Sequence, residues 1–234
     1  MKLLALDTSS EGCSAALWLD GRITERFELA PRGHTRLLMP MIRELLAEQG
    51  LAPTDLDALA FARGPGSFTG LRIATGVVQG LAWGLSLPVV PVSSLAAVAF
   101  GAIEQHQLAE GDLIAVAFDA RMGEVYWATF QCSEGLPSLI GEERVCPPSA
   151  VSLPKSGPSA DWLGVGQGWA FVGDMPEDVV SRVWRTDDSL VPRAAQVARL
   201  AEQGYRHGAA VSAEMAQPVY IRDEVAWKKL PGRE

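Results

Sequence analysis

Two stretches of the chain share one pattern. KLLALDTSSEGCSAALWL starts at Lys2, and DLIAVAFDARMGEVYWATF starts at Asp112. Each is an apolar run ending in aspartate (Asp7, Asp119), then a short polar turn with a glycine (Gly12, Gly123), then a second apolar run. Short apolar runs bounded by turn residues read as buried strands. A strand–turn–strand unit that returns halfway along a chain predicts two related lobes. The 234 residues suffice for one large domain or two small lobes.

The connecting sequence fits that plan. Asp20-Gly21 is a turn signal between two β-like runs, so the chain opens with three antiparallel strands. HTRLLMPMIRELLAEQG (His34–Gly50) reads as a helix closed by Gly50, with Pro40 expected to kink it or mark an irregular first turn. DALAFA (Asp57–Ala62) is a strand, Thr69–Leu85 a helix, PVVPVS a strand, and Ser94 to about Gln105 a helix. Past Phe130 the pattern weakens. Pro147–Ala160 reads as a loop, WAFVGD (Trp169–Asp174) as a strand and turn, and Arg193–Gly208 as a helix. The terminal PVYIRDEVAWKK is apolar and aromatic enough to dock rather than fray. The expected organisation is a first lobe over 1–105, a diverged second lobe over 106–215, and a C-terminal segment, 216–234, docking at their junction. This rhythm is that of the two-lobed actin-like ATPase (ribonuclease H-like) fold: an α/β architecture of duplicated mixed sheets flanked by helices, whose cleft grips ATP.

A nucleotide site is therefore the first function to test. The loop ARGPGSFTGLRIATG (Ala62–Gly76) lies between a strand and a helix, where backbone amides can attract an anion. It has no lysine at the end of the Gly64–Gly70 span, so it is not a P-loop. Its GxGxxxG spacing is one residue longer than the dinucleotide fingerprint. The favoured reading is that Gly64, Pro65 and Gly66 build a tight turn with special backbone angles. Asp7, Thr8 and Ser9, with Asp119 in the second unit, are the candidates for holding a magnesium ion or a phosphate oxygen. Neither of their turns has a clean phosphate-binding sequence, and GDMPED near Gly173 adds acidic repulsion. The expectation is a degenerate nucleotide cleft, with no cofactor held by this chain alone and ATP or ADP at most at an interface within a complex.

Two helices carry more apolar surface than a small lobe needs. In Thr69–Leu85, Gly76, Gly80 and Gly84 form a bare stripe, and Leu71, Thr75, Val78, Ala82 and Leu85 form the opposite face. In His34–Gly50, Leu37, Leu38, Met41, Ile42, Leu45 and Leu46 cover nearly half the circumference. This predicts a partner interface built on Leu37, Leu38, Met41, Leu45, Leu71, Arg72, Thr75, Val78 and Ala82. The alternative is that both helices simply fill the core. A net charge of −8 argues against tight direct binding to a polyanion. Three scattered cysteines and three scattered histidines predict neither a disulfide framework nor a metal site, and point to a reducing compartment. The uncharged stretch Ile73–Ile103 is broken by glycines and prolines, which reads as helix, strand, helix rather than a membrane span. No signal peptide is read, so a cytoplasmic location is expected.

MKLLALDTSS, ARGPGSFTGLRIATG, PVVPVSSL, DARMGEVYWA and PVYIRDEVAWKK resemble the bacterial TsaB family of tRNA threonylcarbamoyladenosine biosynthesis proteins over essentially the whole chain. The chain is more distantly similar to the catalytic paralogue TsaD. The metal-binding HxxxH of catalytic relatives would fall at Ser94 and Val98, which cannot replace two imidazoles. The resemblance implies a non-catalytic scaffold that pairs with TsaD through the helices of the first lobe and works with the ATPase TsaE. The pathway it serves moves a threonylcarbamoyl group onto N6 of the adenosine next to the anticodon. It further implies a homodimer when the chain is alone, tRNA contact only indirectly, and no membrane role. The rival readings are an autonomous small-molecule kinase or ATPase using Asp7 and Asp119, and a metallopeptidase.

Overall fold

The computed structural model describes residues 1–154 and 161–222. Three strands open the chain: β1 (Lys2–Asp7), β2 (Gly12–Leu19) and β3 (Arg22–Leu29). The β2–β3 hairpin closes through Asp20 and Gly21, both at positive φ (47° and 96°) as a primed two-residue turn requires. Then come α1 (His34–Glu48), β4 (Ala58–Gly64), α2 (Phe68–Leu85), β5 (Val89–Ser93) and α3 (Ser94–His106). The second half holds β6 (Leu113–Arg121), β7 (Glu124–Ser133), β8 (Leu136–Cys146) and β9 (Trp162–Val165). The single-turn α4 (Glu177–Val180), β10 (Val183–Asp187) and α5 (Ala194–Arg206) complete it.

The strands form two five-stranded sheets, ordered β3-β2-β1-β4-β5 and β8-β7-β6-β9-β10. In each, the first strand pairs antiparallel with the second and parallel with the fourth. The second sheet thus copies the first strand for strand, and the architecture is the duplicated, actin-like one.

Alternation along each strand sorts side chains between two layers. Leu4 and Leu6 of β1, with Leu59 and Phe61 of β4, pack under α1 and α2. Leu3, Ala5, Ala58 and Ala60 face the other way, onto Ala194, Val197, Ala198 and Ala201 of α5. Alanine on both sides lets that helix sit close. Its first amides are satisfied from the sheet: Ala194 N donates to Ser14 Oγ (2.9 Å) and Ala195 N to Glu25 Oε1 (3.0 Å), a carboxylate at a helix N-terminus. Ile114, Val116, Leu163 and Val165 of the second sheet receive Leu95, Val98 and Phe100 of α3. So α3, which ends the first repeat in sequence, packs on the second sheet, and α5 packs back on the first. The lobes are clasped by exchanged helices.

Pro40 lies inside α1 on an exposed position. Trp169–Asp174 is not a strand. It belongs to a 3-10 segment, Gln167–Asp174. The strand lies just before it, at Trp162–Val165, and the chain then curls back so that Trp169 covers Gly164 and donates its Nε1 hydrogen to Ala115 O (2.9 Å). The expected loop over Pro147–Ala160 contains a short 3-10 turn at Pro148–Ala150; 155–160 lie outside the described residues, as do 223–234 of the expected docking segment. No described helix is long and apolar enough to cross a membrane.

Candidate functional site

Both repeat aspartates sit toward the C-terminal ends of their strands, beside a cleft of about 1300 Å³ between the lobes. They meet different fates. Asp7 is fully buried and does not line the cleft. Its Oδ1 accepts from Ser9 N (3.0 Å), and Oδ2 has no partner among the described residues. Burial pushes its carboxyl up to about 6, against the lowering effect of Ser9. Thr8 is equally buried; only Ser9 reaches the lining. Asp119 does line the cleft, but Arg121 holds it, through its backbone N (2.7 Å) and its Nη1 (2.9 Å). Arg121, Met122 and Gly123 are all at positive φ, so this turn is folded tightly back onto the aspartate.

The glycine loop is what seals Asp7 away. Ser67 N donates to Ser9 O (2.7 Å), and Thr8 Oγ1 donates to Gly70 O (2.7 Å). A Cβ on Gly66 would lie 2.3 Å from Ser9 O, and one on Gly70 would lie 1.9 Å from Thr8 O. The glycines therefore let two loops touch backbone to backbone. Gly64 has φ +115°, a backbone angle that favours glycine, as expected of it, and it ends β4 rather than standing in a free turn. Buried His34, at the start of α1, locks the other side of the turn. Its Nε2 lies 3.0 Å from Ser10 O and 3.2 Å from Gly12 O, and two carbonyl partners assign the ring hydrogen to Nε2. Nothing in the sequence marked His34 for this role.

The tail closes the far side. Val219 N donates to Arg63 O (2.8 Å) in the first lobe, and Arg222 donates to Ala120 O (3.2 Å) and pairs with Glu124 in the second. Residues 218–222 thus bridge the repeats beside the cleft.

The expected partner interface needs correction. Leu38, Met41 and Leu45 of α1, and Val78 and Ala82 of α2, are buried in the core against the first sheet, and Leu71 and Thr75 of α2 are buried too. These large side chains fill the core, and the alternative weighed for both helices holds at these positions. Leu37 is only half-buried and Arg72 is exposed, so these two stay available. The accessible face of α2 is the opposite one. Among the described residues, nothing lies within 4 Å of a Cβ built on Gly76, Gly80 or Gly84, and Trp83 beside them is 70% exposed. On α3, Ser94 and Val98 are both buried in the interior. Among the described residues, no group of three or more His, Cys, Asp or Glu could hold a metal ion. Burial pushes the Cys13 thiol up to about 12, which removes it as a nucleophile.

A family model described as TsaD, tRNA N6-adenosine threonylcarbamoyltransferase, matches residues 27–230. The tRNA threonylcarbamoyladenosine biosynthesis protein TsaB of Escherichia coli is 43% identical over 235 residues, covering 100% of both chains. The protein of the same name from Haemophilus influenzae is 43% identical over 243 residues, covering 100% of this chain and 99% of its own. A Pseudomonas aeruginosa crystal structure, described as an uncharacterized protein with similarity to peptidase YEAZ, superposes with a TM-score of 0.88 at 47% identity, over 94% of this chain and 99% of that one. With full-length likeness and a shared fold, the chain belongs to the TsaB family of tRNA threonylcarbamoyladenosine biosynthesis proteins, within the wider TsaD-type family.

Proposed function

We propose that the chain is a non-catalytic subunit in threonylcarbamoyl transfer to N6 of the adenosine next to the anticodon of tRNA. It acts by pairing with the catalytic paralogue TsaD and supporting the ATPase TsaE, and pairs with itself when alone. The observation that carries this reading is the outer face of α2. A stripe of glycines and an exposed Trp83 leave room for a second helix to approach closely, with no described residue of this chain packed on the stripe. The interface proposed is Leu37 of α1 with Arg72, Gly76, Gly80 and Trp83 of α2. The other side chains first expected there act indirectly, by fixing the two helices on the sheet.

The cleft supports the non-catalytic half of the reading. An autonomous kinase needs carboxylates free to hold a metal and a phosphate, and here Asp7 is sealed and Asp119 is engaged by Arg121. Calorimetry of the isolated chain with ATP and magnesium separates the two readings; tight binding favours the kinase.

The interface is tested with Gly80→Arg and Trp83→Glu. Both change exposed positions, so the melting temperature should stay near wild type. Co-purification with TsaD and modification of tRNA in a reconstituted mixture should both be lost. A full-strength heterodimer from both variants would overturn the interface. Undiminished tRNA modification in the reconstituted mixture when the chain is left out altogether would overturn the function.

A further inference from the structure

The cleft has a chemical character that the whole-chain charge conceals. Among the described residues its lining includes Arg32, Arg72, Arg121 and Arg222 against Glu11 and Asp119, with Arg121 paired to Asp119 and Arg222 to Glu124, in a chain of net charge −8. The arginines stand on both lobes rather than around one point. Arg121 and Arg222 sit on the second-lobe side, Arg32 follows β3, and Arg72 rises from α2. On the first-lobe lip the rings of Phe68 and Tyr220 lie 5.6 Å apart, 61% and 44% exposed. The Arg72 guanidinium lies 3.2 Å from the Phe68 centroid and 5.1 Å from that of Tyr220. Across the cleft Met122 is 75% exposed. At the floor, Ser9 is 3% exposed and its Oγ has no partner among the described residues.

We infer that this cleft binds single-stranded RNA, stacking an unpaired base on the Phe68–Tyr220 lip and placing the flanking phosphates against arginines on both walls. Exposed aromatics beside spaced arginines are the means by which proteins hold unpaired nucleotides, because every base offers a flat face. A compact nucleoside polyphosphate with its magnesium is the poorer fit. It concentrates charge at one point and calls for free carboxylates, whereas the cleft spreads its cations and withholds both aspartates. About 1300 Å³ also exceeds the usual volume of a small-molecule pocket. The net charge opposes binding at long range, so the attraction rests on contacts made within the cleft; under this inference tRNA is met directly.

The inference rests on the tRNA-modifying role proposed above, and its test is separate from that of the role. Fluorescence anisotropy on the full-length chain, in EDTA at about 50 mM salt, compares a short RNA hairpin carrying an unpaired loop with a blunt duplex of the same length. The hairpin should bind at least about ten times tighter. Tyr220→Ala should weaken it roughly 5- to 100-fold. Arg121→Glu, on an exposed turn, should weaken it and flatten the salt dependence by about one unit of log–log slope. Equal binding of duplex and hairpin, no binding of either, or indifference to both substitutions overturns the site. AMP affinity equal to that of the hairpin assigns the cleft to a free nucleotide and overturns it too. The tRNA-modifying role fails only on the complex and the reconstituted reaction, so the two outcomes are read apart.

Discussion

Gly70 is the residue on which the sealed cleft depends, and its replacement by alanine can be worked through. A Cβ there would lie 1.9 Å from Thr8 O and 3.1 Å from Thr8 C, so the two backbones must separate by more than 1 Å to reach ordinary contact. That separation breaks the Thr8 Oγ1–Gly70 O bond and strains the neighbouring Ser67 N–Ser9 O bond. Overpacking costs about 1–3 kcal/mol, and each lost bond about 1 kcal/mol. Alanine returns about 1 kcal/mol through helix propensity. The net loss is about 3 kcal/mol, or a melting temperature lower by roughly 6–12 °C for a chain of this size. Gly76→Ala is the control on the same helix: its Cβ meets nothing within 4 Å, so it should be neutral or stabilising by up to about 1 kcal/mol. Thermal denaturation followed by circular dichroism reads both. If Gly70→Ala melts no lower than Gly76→Ala, the loop contact does not hold the site as argued.

Asp7 is raised from 3.8 to about 6 in the fold, so its contribution is full below about pH 4 and is lost as pH rises through 6. Asp7→Asn should accordingly be more stable than wild type at about pH 7.5, by as much as roughly 3 kcal/mol, with the gap closing by about pH 4 in urea titrations. Val78→Asp buries a charge in the α1–α2 core and should abolish cooperative unfolding, whereas Trp83→Glu should leave it intact. His34→Ala removes the donor shared by Ser10 O and Gly12 O, and should cost about 2 kcal/mol in denaturant titrations while speeding hydrogen exchange in the β1–β2 turn.

The duplicated architecture was legible because β1 and β6 are buried on both faces, and such strands are written as unbroken apolar runs. β8 and β10 were not, for the converse reason. They are the edge strands of the second sheet, and most of their residues are exposed or half-buried, so LPSLIGEERVC and VWRTD carry no clean period. Helix α2 illustrates a different limit. Helical spacing correctly grouped Leu71, Thr75, Val78 and Ala82 on one face and the glycines on another. It could not say which face turns inward. Burial decides that: a buried leucine or valine side chain contributes about 1.5–3 kcal/mol and a glycine contributes none, so the large residues take the sheet and the bare stripe is left outside.

The site was legible as a set of residues and not as a geometry. Asp7 and Asp119 are equivalent in the repeat; tertiary contacts make one a sealed core group, while a local turn makes the other the partner of Arg121. Those contacts come from Gly66 and Gly70, about sixty residues from the turn they cover, through carbonyl–glycine approaches that no side-chain motif announces. A glycine-rich loop after a strand can serve an anion only while its amides point to open space. Here Ser67 N is spent on Ser9 O and Gly70 N lies 3.3 Å from the Ser67 hydroxyl, so these two donors bind the protein itself. What remains open to a ligand is the rim: arginines, two aromatic rings and a methionine. Such a rim can hold and orient a ligand, while Asp7 lies sealed behind it and Asp119 is engaged by Arg121, so neither carboxylate is free to carry a metal to a phosphate.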